Sequence, residues 1–85
     1  MLIGDRIREL RTNLRLSQTE LGNRVDTDGS VISRWETNKA RVSQRYIVKP
    51  SNALDTSTDY LLGETDDPKP IAKKLIKYIT YKYEL

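Results

Sequence analysis

The stretch SQTELGNRVDTDGSVISRWE, residues 17–36, decides how this chain folds. Ser17 and Glu20 stand three apart, the spacing of a capping box, in which the Ser17 hydroxyl accepts the backbone N–H at 20 and the Glu20 carboxylate reaches back to the N–H at 17. A helix therefore starts here, carries Leu21 and Val25 inward and ends near Asp26. Asp28 follows where a second helix needs an N-cap, and Ile32 and Trp35 give that helix an apolar face. Two short helices joined by a turn of about three residues make a helix-turn-helix.

Outward from that unit, Ile3, Ile7, Leu10 and Leu14 recur at spacings of four, three and four, with charged residues between them, which predicts an amphipathic helix over residues 2–14. Downstream, Ile47 and Leu54 keep helical spacing within residues 43–54, but Pro50 lies among them, so a bent or broken helix is expected. Ser57 can cap a last short helix through Tyr60, Leu61 and Leu62, and Gly63 is a natural stop. The acidic, proline-punctuated residues 64–70 read as a linker. In the tail, residues 71–85, Ile71, Leu75 and Ile79 with Tyr78 fit a helical stripe, although residues 76–83 also have strand composition.

The bounds are narrow. With 85 residues there is room for one small domain and an appendage. Cysteine and histidine are both absent, which excludes disulfides, thiolate or imidazole metal sites, Ser-His triads and cysteine nucleophiles. Asp66 and Asp67 in the proline-rich segment read as solvated charge, so no enzyme and no cofactor is expected. The formal charge of +3 suits a polyanionic partner. No uncharged run exceeds five residues, so neither a membrane span nor a signal-peptide core fits, and the expected location is cytoplasmic.

RIRELR (6–11), LSQTEL (16–21), VISRWE (31–36), Asn38-Lys39 and STDYLLG (57–63) together resemble the five-helix DNA-binding domain of the lambda-repressor/Cro type, the XRE family. The resemblance covers residues 3–63 without a gap and implies an all-α, five-helix lambda-repressor-like bundle over residues 1–63. It further implies that the third helix lies in the DNA major groove and that a homodimer reads a near-palindromic operator. Three positions depart from the pattern. Gly22 replaces the usual Ala of the second helix, Asp26 the usual turn Gly, and Pro50-Ser51 the usual apolar or Ala positions of the fourth. A glycine at 22 still lets helices approach closely, and Asp tolerates the left-handed backbone a turn needs.

On that reading the groove-facing positions of the third helix include Asp28, Ser30, Ser33 and Arg34, the expected base readers. Arg34 can fork onto guanine, and Asp28 can accept from cytosine, though capping competes for its oxygens. Val31 either meets a thymine methyl or stays exposed. Phosphate contacts are expected from Gln18, Thr37, Asn38, Lys39, Arg41 and Arg15, with Arg11, Arg24, Arg45 and Lys49 also on the basic rim. Trp35 is expected in the core, and the resemblance implies an Arg11–Glu36 salt bridge between the first and third helices. Dimerisation candidates are Tyr60 on the surface of helices four and five, and Ile71, Leu75, Tyr78 and Ile79 in the tail. Phage-type repressors and restriction-modification controllers fit these features; an antitoxin and a protein-interaction adaptor without DNA binding are the alternatives. Operator DNA and a second copy are the expected partners, with no small-molecule ligand and no membrane.

Overall fold

The computed structural model describes residues 2–70, which form five α-helices and no strand: α1 (Ile3–Asn13), α2 (Gln18–Arg24), α3 (Gly29–Glu36), α4 (Val48–Ala53) and α5 (Thr58–Leu62). The tail positions Ile71, Leu75, Tyr78 and Ile79 lie outside the described residues. Ile7 from α1, Leu21 and Val25 from α2 and its cap, and Ile32 and Trp35 from α3 meet Ile47, Leu54, Tyr60 and Leu61 in one core. Apolar faces too short to hold a helix in isolation are stabilised by this shared burial.

Three helix starts are capped by the side chain of the N-cap residue itself. The Ser17 hydroxyl accepts from Glu20 N at 3.0 Å while Ser17 N donates to Glu20 Oε1 at 3.0 Å, completing the predicted capping box. Asp28 Oδ1 accepts from Val31 N at 3.1 Å, and Ser57 Oγ accepts from Tyr60 N at 3.0 Å.

The helix ends share one device. Arg15, Asp26, Asn38 and Asp55 each take a positive φ just past a helix, and Gly63 does so after α5 with φ 80°. The chain then folds back to bond an orphan carbonyl, as in Leu16 N to Arg11 O, Thr27 N to Gly22 O and Lys39 N to Arg34 O. Asp26 behaves as the turn was expected to require, with φ 59°. Its carboxylate pairs with Lys49 Nζ on α4, and both side chains of this pair stay exposed.

Of the bent or broken helix expected within residues 43–54, the structure shows the broken form, with only residues 48–53 helical. Turns carry the chain to Ile47, and the helix begins only at Val48, so Pro50 falls in its first turn. There a backbone N–H would have no acceptor inside the helix, and proline loses nothing by lacking one. Pro50 and Ser51 are both buried, and Ser51 Oγ donates to Ile47 O at 2.8 Å.

Residues 64–70, read as a linker, are fastened to the bundle. Arg6 on α1 is buried: its Nη1 donates to Tyr60 O and to Thr65 O, each at 2.6 Å, and its Nη2 meets Asp66 Oδ1 at 2.8 Å. The guanidinium lies 4.2 Å from the centroid of the Tyr60 ring. Further on, Thr56 Oγ1 donates to Pro68 O at 2.6 Å.

Candidate nucleic-acid interface

α2 and α3 pack so tightly that the turn between them has little freedom. A Cβ built on Gly22 would lie 2.5 Å from the carbonyl carbon of Asp28, an overlap with backbone. Glycine at 22 is therefore what allows the start of α3 to sit against α2 in this chain.

From that fixed start α3 presents its outer face. Asp28, Ser30 and Arg34 are exposed and Ser33 is half-buried. Ser30 and Arg34 stand one turn apart on the same side of the helix. Ser30 Oγ donates to Asp28 Oδ1 at 2.6 Å, so the cap and the first expected reader form one unit. The Ser30 hydroxyl, then Val31 N, hold the Asp28 carboxyl below its ordinary pKa and keep it ionised. Val31 is half-buried and packs against the core.

Of the other expected DNA-contacting positions, Arg15, Arg24, Thr37, Asn38, Lys39, Arg41 and Arg45 are all exposed. The positive-φ closures place Arg15 beyond the end of α1 and Asn38 beyond the end of α3. The Thr37 hydroxyl donates to Ser33 O at 2.8 Å, which leaves its oxygen able to accept but not to donate.

Behind the face, Glu36 gathers the donors of three neighbours. Arg11 Nε and Nη2 reach Glu36 Oε2 and Oε1 at 2.5 and 2.9 Å, and Arg11 Nη1 donates to Leu16 O at 2.8 Å. Gln18 Nε2 donates to Glu36 Oε1 at 3.2 Å, and Arg8 Nε approaches the same oxygen at 3.4 Å. The Glu36 side chain is 0% exposed. Burial alone would raise its pKa, but the bonds from Arg11 and Gln18 outweigh it and hold the carboxyl below its usual value. The same pair raises the Arg11 guanidinium. Arg11 is thus held against Glu36, with 13% of its side chain left exposed. Gln18 keeps its second amide proton, because only one is used on Glu36.

Trp35 is buried as expected, its ring meeting that of Tyr46 edge-on at 5.8 Å between centroids. Tyr60, considered for a dimer surface, is also buried, beneath Arg6, so its ring is not offered to a partner. The apolar side chains exposed on α4 and α5 are Val48 and Leu62. The role of Arg6 was not foreseen, because its partners lie 54 to 60 residues away.

A capped α2, a tight turn and an α3 with an exposed polar edge define a helix-turn-helix protein. Residues 7–61 match the helix-turn-helix family, and the chain belongs to it, in the lambda-repressor/Cro (XRE) branch. The chain is 38% identical over 61 residues to the repressor protein C2 of Salmonella phage P22, a match covering 72% of this chain and 28% of that protein. It spans well under a third of that repressor's length. It is 28% identical over 81 residues to the uncharacterized HTH-type transcriptional regulator YobD of Bacillus subtilis strain 168, covering 94% and 72% of the two chains. Among solved structures, it superposes on the P22 c2 repressor in complex with a synthetic operator with a TM-score of 0.70 at 37% identity, covering 73% of this chain and 94% of the other. The solution structure of the P22 c2 DNA-binding domain gives a TM-score of 0.69 at 36% identity, over 72% and 80% of the chains.

Proposed function

We propose that this chain is a sequence-specific double-stranded DNA-binding transcriptional regulator, a repressor of the phage type, that lays α3 in the major groove and reads bases with Asp28, Ser30, Ser33 and Arg34. The observation that carries this reading is the exposed Ser30–Arg34 edge of a capped, tightly held α3. The likeness to a repressor solved with its operator supports it. Gln18, Thr37, Asn38, Lys39, Arg41 and Arg15 would grip phosphates on either side, acting through charge and hydrogen bonds that carry no sequence information. No enzymatic activity or cofactor belongs to this function, and its place is the cytoplasm. Selection of bound sequences from random duplex should return one motif, and affinity should fall steeply with salt as counterions compete for the phosphates. Binding that ignores both sequence and salt would overturn the reading.

The reading includes a homodimer on a near-palindromic operator. One head offers few long side chains to the groove, since residues 29, 30 and 33 are Gly, Ser and Ser. Two heads about 34 Å apart on a two-fold axis would double the phosphate contacts and raise the effective concentration. Exposed Val48 and Leu62 offer one apolar surface. Ile71, Leu75, Tyr78 and Ile79 supply a second in sequence. Sedimentation of the full chain and of a chain ending at Pro70 distinguishes the two: a dimer that survives truncation places the axis on α4 and α5, and a full-length monomer at micromolar concentration removes the dimer.

A further inference from the structure

A serine hydroxyl carries a single proton, and in this fold the proton of Ser30 is spent. The carboxylate of Asp28 has none to give, so the 2.6 Å bond between them runs from Ser30 Oγ to Asp28 Oδ1. That carboxylate is fixed in turn by Val31 N. What Ser30 shows to the groove is therefore lone pairs only, next to an anionic carboxylate that is itself exposed. One turn along the helix, Arg34 shows the opposite character, up to five N–H donors and a positive charge. The reading edge is thus divided, acceptors at its N-terminal end and donors at Arg34.

We propose, resting on the DNA-binding reading above, that Ser30 is a specificity-determining residue that selects a base bearing an exocyclic amine, adenine through N6 or cytosine through N4, and rejects a base edge offering only acceptors at that position. Free serine tolerates either kind of edge, because it can donate or accept. The Asp28 bond removes that ambiguity. Guanine O6 and N7 and thymine O4 are acceptors. Opposite Ser30 Oγ they would meet lone pair with lone pair, with the Asp28 charge adding to the repulsion.

The test uses the full chain and duplexes carrying the operator recovered by selection from random DNA. The position under Ser30 is the base pair whose preference relaxes in Ser30→Ala, a variant that leaves the Asp28 bond to Val31 N in place. At that position the wild-type protein should have selected adenine or cytosine. Methylating its exocyclic nitrogen replaces the groove-facing proton while the other amine proton stays in the base pair. The wild type should then weaken by about five- to tenfold, the scale of one lost hydrogen bond that leaves its partner unpaired. Ser30→Ala should bind methylated and unmethylated duplex alike, and Ser30→Thr, which restores a hydroxyl, should recover the sensitivity. N6-methyladenine and N4-methylcytosine probes separate the two bases. Guanine or thymine selected under Ser30, no position relaxed in Ser30→Ala, or sensitivity that persists in Ser30→Ala would each overturn the proposal while leaving DNA binding intact. A protein that retains no duplex of any sequence would overturn both.

Discussion

Arg11 closes on both carboxylate oxygens of Glu36, and by doing so ties α1 to the last residue of α3. The two partners are not equally placed. The Glu36 side chain is 0% exposed, whereas Arg11 keeps 13% of its side chain in contact with solvent. Removing Arg11 would strand a buried carboxylate on Gln18 and Arg8 alone, an outcome that costs about 3–5 kcal/mol in buried pairs. Glu36→Gln keeps the volume and an acceptor for Arg11, and leaves a cation that can still reach Leu16 O and water. Arg11→Met should therefore destabilise more than Glu36→Gln in urea unfolding. The opposite order would show that the Glu36 carboxylate reaches solvent.

The same site sets a pH dependence. Glu36 has a folded pKa below its unfolded value of about 4.3, so the folded state binds its proton less readily than the unfolded one. Its contribution to stability is complete above the unfolded pKa and is lost as pH falls through the lower, folded value. Asp28 and Glu20 are shifted in the same direction and add to the same acid limb. The stability gap between wild type and Glu36→Gln should be constant near neutrality and narrow below about pH 4. Thermal unfolding of both chains across that range checks it, and a gap that did not change with pH would mean that the Glu36 carboxyl titrates alike in the folded and unfolded chain.

Trp35 and Tyr46 give a contrast in the core. Truncating Trp35 to Ala removes a buried aromatic worth about 3–5 kcal/mol, which in a domain this small should unfold the protein. Tyr46 Oη is buried and has no hydrogen-bond partner among the described residues. Tyr46→Phe keeps the ring edge against Trp35 and removes a desolvated hydroxyl, so it should be neutral or stabilising by up to about 1 kcal/mol. A loss of stability in Tyr46→Phe would reveal a partner for that hydroxyl.

What was legible beforehand was what is local. The caps at Ser17, Asp28 and Ser57 join a side chain to a backbone group three residues away, so spacing alone exposes them. The apolar positions of α1 to α3 were legible for the same reason. The start of α4 was not, because Ile47 and Leu54 keep a helical interval while the residues before Val48 turn without forming a helix. Arg15, Asn38 and Asp55 close helices with positive φ, a role marked in sequence by glycine, which among the five closures stands only at Gly63. Arg6 occupies a helix position beside Ile7 that reads as solvated until residues 60, 65 and 66 are brought over it.

Arg34 carries the heaviest expected contact with bases. It is exposed and lies one turn beyond Ser30, where a guanidinium can fork onto guanine O6 and N7. Arg34→Ala should cost about 1–3 kcal/mol on the operator and relax preference at one base pair of each half-site. Competition binding against random duplex checks it, since equal losses on both would make Arg34 a phosphate contact.

Gly22→Ala sets two effects of opposite sign against each other. Alanine is favoured over glycine inside a helix by about 1 kcal/mol, and it is the residue usual at this position in the family that the sequence resembles. On an isolated helix the substitution would stabilise. In this chain the new Cβ would fall 2.5 Å from Asp28 C, 2.7 Å from Asp28 O and 2.8 Å from Asp28 Cα. All three are backbone atoms, so no side-chain rotation relieves the overlap, and separating the helices would pull on the Leu21, Val25 and Ile32 core, where each side chain is 0% exposed. Overpacking of this kind costs about 1–3 kcal/mol, which outweighs the gain in propensity. Because the atoms displaced belong to the N-cap of α3, the recognition edge should move with them. Gly22→Ala is therefore expected to lower the urea midpoint and to weaken operator binding more than binding to random duplex. A variant with raised stability and unchanged operator affinity would mean that the turn between α2 and α3 yields at no cost.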